Sequence, residues 1–103
     1  MVSLFINTNP IKFYFMSSKI PVFNDPKQFT KALQESSCVI FETDVLKAEI
    51  STIVDGHNKR ETKIQYYQPS PKGWQKFSFC ICSFKHMIVE DFTYQCRIFG
   101  LLN

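Results

Sequence analysis

The sequence has few glycines and no long apolar run. Its three glycines, Gly56, Gly73 and Gly100, are scattered, whereas a loop that cradles phosphate groups needs several glycines close together. We therefore exclude a nucleotide-hydrolysing site of that type. The apolar run from Val2 to Ile6 is broken at Asn7 to Pro10, far short of the ~20 residues that span a bilayer, and no basic residue precedes it. These features predict a soluble, cytoplasmic protein without a membrane partner.

Residues for acid–base or nucleophilic chemistry are also sparse. The carboxylates from Asp44 to Asp91 show no spacing typical of a catalytic pair, and no motif places a histidine beside a cysteine. His57 lies in a polar stretch, and His86 follows Lys85 near the end of an apolar run. We therefore predict a protein that is not an enzyme and that needs no cofactor.

The four cysteines lie inside apolar runs: Cys38, Cys80, Cys82 and Cys96. On a strand, Cys80 and Cys82 share one face, and with His86 and Cys96 they supply ligand types that zinc accepts. A structural zinc site usually takes its cysteines from tight turns, however, whereas Phe79 to Cys82 is typical of an apolar strand in which cysteine is a small hydrophobic residue. We expect reduced thiols that pack against neighbours, and no metal.

Apolar and aromatic residues are abundant in this chain. Hydrophobic residues make up 45% of the 103 residues and aromatic residues 16%, with eleven phenylalanines. This composition excludes disorder, and the length fits one domain. So many aromatic residues exceed what one small core buries, which favours an oligomer or a groove for a partner. The net charge of +3 is too small to indicate nucleic acid by itself.

The chain divides at residue 24 into an N-terminal extension or extra hairpin, residues 1–24, and an α+β interaction domain, residues 25–103. The domain opens with a helix signal, since Asp25 suits the N-cap and Pro26 the first helical position. We predict a helix from there to about Ser36, with Phe29 and Leu33 on its apolar face.

In the stretch from Thr43 to Gly56, the spacing of the apolar residues fits both the repeat of a helix and the alternation of a strand. As a helix, it carries one apolar stripe: Leu46, Ile50, Ile53 and Val54. As a strand, it alternates through a different set: Leu46, Ala48, Ile50, Thr52 and Val54. Gly56 suits a helix C-terminus or, after Asp55, a hairpin turn. Lys47 to Glu49 are poor strand residues, which favours the helix. The strand remains the alternative prediction for this stretch.

The second half of the sequence is typical of strands. We predict strands over Lys63–Gln68 and Trp74–Phe84, joined by a turn, and further strands over 87–89 and 92–102. The last of these would place Tyr94, Cys96 and Ile98 on one face. The predicted fold class is α+β, with one or two N-terminal helices packed on an antiparallel β-sheet meander.

The order of these segments resembles the Tctex-type dynein light chains over about residues 25–102. Thr43–Val54 resembles that family's second helix, Lys76–Cys82 its second strand, and Phe92–Leu101 its last strand, which closes on Phe-Gly. Ser83–His86 departs from the family, which usually has a Trp-Asp pair here. The resemblance implies a light chain of a microtubule motor that forms a homodimer and is located at the cytoskeleton. This dimer would bind a strand-forming peptide of a dynein intermediate chain.

The candidate binding segment is the aromatic strand near the middle of the second half. Its candidate partner-binding residues are Trp74, Lys76, Phe77, Phe79, Ile81 and Ser83. An exposed strand edge offers unpaired backbone groups that a partner strand satisfies, and alternate side chains then select the partner. The alternative is a small single-stranded nucleic-acid-binding domain, in which the aromatic residues of Lys12–Phe15 and Lys76–Phe79 stack on bases while Lys59, Arg60 and Lys63 contact phosphates. The modest net charge disfavours this alternative.

Overall fold

A computed structural model describes residues 20–102 of the chain. The elements follow in the order β1 (Val22–Phe23), α1 (Pro26–Glu35), β2 (Ile40–Glu42), β3 (Lys47–Val54), β4 (Arg60–Ser70), β5 (Gly73–Cys82) and α2 (Lys85–Ile98). Most of the predicted extension or hairpin over residues 1–24 lies outside the described residues. Within it, Val22 and Phe23 form β1.

The strands form one mixed sheet in the order β1-β2-β3-β4-β5. β1 runs parallel to β2, and every other neighbouring pair is antiparallel. Parallel neighbours need a crossover connection, which α1 supplies here. The predicted antiparallel meander with its helices at the N-terminus is therefore wrong, because α1 lies between the first two strands and α2 follows the last.

Helix α1 confirms the prediction from its capping residues. Asp25 is the N-cap, and its Oδ2 accepts a hydrogen bond from the backbone N–H of Gln28 at 3.0 Å. Pro26 occupies the first turn, where its missing N–H costs nothing. Phe29 and Leu33 are fully buried on the face predicted for them.

The helix predicted within residues 43–56 is wrong, because this stretch contains strand β3. Alternate residues of this stretch point into the core: Leu46, Ala48 and Ile50. Strand β3 pairs along its whole length with β4, across a turn in which Asp55 Oδ1 accepts hydrogen bonds from the backbone N–H groups of His57 and Lys59 at 2.8 and 2.9 Å. The helix preference of Lys47–Glu49 amounts to tenths of a kcal/mol per residue, less than this pairing supplies.

The strands predicted over 87–89 and 92–102 are also wrong, because most of these residues form helix α2. Its buried side chains have helical spacing: Ile88, Phe92, Gln95 and Cys96. Tyr94 and Ile98, expected on one face with Cys96, are exposed while Cys96 is buried. The period of the buried positions therefore outweighs the β-prone composition of this segment. Neither helix in the described part of the chain has the length and apolar character to cross a membrane.

Both helices pack on the same face of the sheet. α1 contacts β1 and β2, α2 contacts β4 and β5, and the two helices contact each other. Phe29 of α1, Phe41 of β2 and Phe92 of α2 meet at the centre, with ring centroids 4.7–5.4 Å apart. All three rings are fully buried. This contact joins both helices to the sheet and leaves the opposite face of the sheet, the outer face, uncovered by either helix.

Truncating the central ring tests this arrangement. We expect Phe92→Ala to lower the free energy of unfolding by about 3–5 kcal/mol, because it leaves a cavity where three elements meet. Urea denaturation followed by circular dichroism measures the change. Tyr94→Ala on the same helix is the matched control, since Tyr94 is 59% exposed and its truncation should cost little. Equal losses for the two variants would contradict the packing described here.

Candidate functional site

Strand β5 is the open edge of the sheet. Within residues 20–102 it pairs with β4 on one side and with no strand on the other. It has ten residues, long for an edge, whereas β1 at the opposite edge has only two. A short edge offers little to pair with, but a long one presents a row of unpaired N–H and C=O groups.

The composition of β5 does not protect this edge. Its last six residues, Phe77–Cys82, contain no charge and no proline, although charge and proline are the usual means of blocking an edge. Apolar, uncharged segments of this length pair readily with other strands. A folded chain that keeps such an edge therefore has either a partner for it or a liability to aggregate.

The residues predicted to bind a partner divide between two faces of the sheet. Phe79 and Ile81 lie on the outer face and are 59% and 40% exposed, and Lys76 lies there too, opposite Tyr67. Phe77 instead packs against the core, with its ring 5.6 Å from that of Phe99. The reason is the register shift between Tyr66 and Tyr67, which turns Phe77 inward.

The remaining two predicted residues lie at the ends of β5. Trp74 stands opposite Pro69 beside the β4–β5 turn and is half-buried. Ser83 follows the strand, and its Oγ donates a hydrogen bond to Glu61 at 3.4 Å. The structure therefore gathers Lys76, Phe79 and Ile81 on the outer face, with Trp74 on the same face at the turn end of β5 and Ser83 beside it at the other end, and turns only Phe77 toward the core.

Helix α2 forms a wall beside the open edge of β5. The sequence does not predict this wall, because it predicts strands in place of α2. A groove of about 360 Å³ runs between the end of β5 and the start of α2, and its lining includes Ile81, Met87, Glu90 and Asp91. Three apolar side chains on the exposed side of α2 stay uncovered by the described chain: Met87, Tyr94 and Ile98. Their spacing of seven and four residues places them on one stripe of the helix, a signal lost when the segment is treated as a strand.

A partly buried hydrogen bond links α2 to the sheet beside this groove. Tyr66 of β4 is fully buried, and its hydroxyl donates to Asp91 Oδ2 at 2.7 Å. Burial raises the pKa of Tyr66, and the bond to Asp91 raises it further, so the phenol stays protonated. The bond joins α2 to β4 beside the groove, whose lining includes Asp91.

The outer face of the sheet carries equal numbers of acidic and basic side chains. Strand alternation places three lysines and three glutamates there: Lys47, Lys63, Lys76, Glu42, Glu49 and Glu61. Lys63 Nζ lies 5.4 Å from the centroid of the Phe79 ring, and Lys47 Nζ lies 3.7 Å from Glu49 Oε2. Aromatic rings and lysines are thus present, but the charges balance and no basic track for a phosphate backbone results.

The cysteines and His86 do not assemble a chemical site. Cys80 and Cys82 project from β5 toward the core side, Cys96 is buried on α2, and the His86 ring lies 5.8 Å from that of Phe84. Within residues 20–102, no three His, Cys, Asp or Glu side chains come close enough to hold a metal ion. Burial raises the pKa of Cys80 and brings that of Cys96 to about 12, so both thiols stay protonated at neutral pH and are poor nucleophiles.

Comparison with known proteins supplies no relative for this chain. No family model, no curated protein and no solved structure matches it. The features that indicate a function are therefore the β5 edge and the groove beside it.

Alkaline titration tests the side-chain network on the outer face. The Tyr67 hydroxyl donates to Glu49 Oε1 at 2.6 Å, and this bond, with some burial, raises the pKa of Tyr67 from 10.0 to about 12. Between these pH values the unfolded tyrosine has lost its proton while the folded one keeps it, so the free energy of unfolding should fall as pH rises through this window. Denaturation at several pH values measures the fall, which Tyr67→Phe should reduce. An unchanged slope in that variant would contradict the assignment.

Proposed function

We propose that this protein is a non-enzymatic interaction module that binds an extended segment of a partner protein by β-strand addition to the open edge of β5. One observation carries the proposal: the ten-residue edge strand β5 ends in six residues without charge or proline, and within residues 20–102 no strand pairs with its free edge. A function that uses this edge explains why the chain keeps it.

The physical basis is backbone hydrogen bonding. Alternate residues of an edge strand direct their N–H and C=O groups away from the sheet, and an added strand satisfies these groups with its own. Each such hydrogen bond contributes about 0.5–1.5 kcal/mol net, so affinity comes mainly from the main chain. The side chains that flank the new strand then distinguish one partner from another.

The proposal does not depend on the resemblance to dynein light chains. That resemblance used a second helix within residues 43–56, and this stretch contains strand β3. A dynein intermediate chain as partner, a homodimer and a cytoskeletal location remain predictions from the resemblance. A second copy of the chain could occupy the same edge by pairing β5 with β5. Light scattering at several concentrations distinguishes such a dimer from binding of a separate partner.

Substitution of Phe79 tests the edge directly. A nonapeptide selected from a displayed random library against the full chain serves as the probe. We expect Phe79→Lys to weaken its binding about tenfold or more, because the variant replaces an apolar side chain beside the added strand with a charge. Fluorescence anisotropy with the labelled peptide measures the dissociation constant.

Val54→Lys is the matched control for this experiment. Val54 is 56% exposed, so this variant also replaces an exposed apolar side chain with lysine, but on β3, away from the β5 edge. It should bind the peptide like the parent chain. Equal binding by Phe79→Lys would contradict strand addition at β5, and steep loss of binding by the parent chain in rising salt would favour phosphate recognition instead.

A further inference from the structure

Strand β5 and helix α2 run alongside each other in opposite directions, and their open parts match in length. Met87 and Ile98, the ends of the stripe on α2, are eleven residue steps apart, about 16 Å at the helical rise. Phe77 and Cys82 on β5 are five residue steps apart, also about 16 Å at the strand rise. Phe77 contacts Phe99 at one end of this stretch, and Cys82 lines the groove with Met87 at the other.

A strand added to this edge would therefore enter a slot with two different walls. Its side chains on one face would lie beside Phe79 and Ile81 on the outer face of the sheet, and those on the other face would lie over α2. Alternate residues of a strand stand about 6.6 Å apart, so about three inward side chains fit along the stripe of Met87, Tyr94 and Ile98. Both walls carry exposed apolar side chains over this length.

The slot has an acidic end. Glu90 is exposed, and within residues 20–102 neither it nor Asp91 forms an ion pair with a lysine, arginine or histidine. Both line the groove beside Met87, although Asp91 already accepts the Tyr66 hydroxyl. The nearest cation in the sequence, Lys85, donates to backbone carbonyls at the end of α1. This end therefore offers a free carboxylate in a chain whose net charge is +3.

We infer that the slot between β5 and α2 selects a segment of about six residues that is apolar on both faces and carries one lysine or arginine opposite Glu90. This inference deepens the strand-addition proposal and rests on it. The main chain provides affinity at the edge, the stripe on α2 fixes which side chains face inward, and the carboxylate of Glu90 fixes the register and direction of the added strand.

A displayed library of random nonapeptides, selected in parallel against four versions of the full chain, tests this inference. The versions are the parent, Glu90→Lys, Tyr94→Ala and Glu35→Lys, the last being a charge reversal of equal size at the C-terminal end of α1. Peptides from the parent should share three apolar residues at alternate positions and one basic residue at a fixed distance from them. Selection against Glu90→Lys should replace that basic residue with an acidic one.

The affinities of the selected peptides supply the second readout. Glu90→Lys should weaken binding of a peptide selected by the parent about tenfold, since an attraction becomes a repulsion, and Tyr94→Ala should weaken it severalfold. Glu35→Lys should leave it unchanged. Peptides that bind parent and Glu90→Lys equally would overturn the assigned slot and leave strand addition standing. Failure of the parent to select any peptide would overturn both.

Discussion

The contact among Phe29, Phe41 and Phe92 is the constraint on which the rest of the molecule depends. These rings come from α1, β2 and α2, and each is fully buried. Because they meet at one point, both helices must lie on the same face of the sheet. The outer face then has no helix to cover it. The same contact brings α2 back across β4 and β5, so the last helix ends up beside the last strand.

The properties of the candidate site follow from that placement. The bond from the Tyr66 hydroxyl to Asp91 holds α2 along β4 and β5, and the helix therefore presents Met87 and Tyr94 next to an edge that carries no charge from Phe77 to Cys82. An open edge alone accepts many strands, including those of other copies of the chain. An edge beside a helical wall accepts a strand only if its inward side chains fit, and this converts a liability into a selective binding surface.

Local signals in the sequence were sufficient for part of this structure. The capping residues Asp25 and Pro26 predicted α1, and the alternation of apolar residues predicted β4 and β5, although with different ends. At residues 43–56 the helix is the preferred prediction and the strand only the alternative, because Lys47–Glu49 favour a helix locally and the pairing of β3 with β4 does not enter a local preference. Helix α2 was missed because its β-prone residues concealed the spacing of Ile88, Phe92 and Cys96.

The wrong prediction for α2 limits how much of the site the sequence reveals. The composition around Phe79 and Ile81 predicts the edge segment, but the groove beside it requires helix α2, and the two strands predicted in place of that helix form no such groove. The inward turn of Phe77 depends on the register shift between Tyr66 and Tyr67, which alternation along a single strand does not reveal. Strand β1 has two residues, too few to give a periodic signal.

Amide hydrogen exchange along β5, followed by nuclear magnetic resonance, tests the central claim most directly. On the full chain at a concentration where light scattering shows monomers, the amides of β5 that face β4 should exchange slowly and the alternate amides that face outward should exchange quickly. Addition of a selected peptide should slow the outward amides alone. Slow exchange at every β5 amide in the free monomer would mean that the edge is already covered. Peptide binding without any change along β5 would mean that the partner binds elsewhere. Either result would contradict strand addition at the β5 edge.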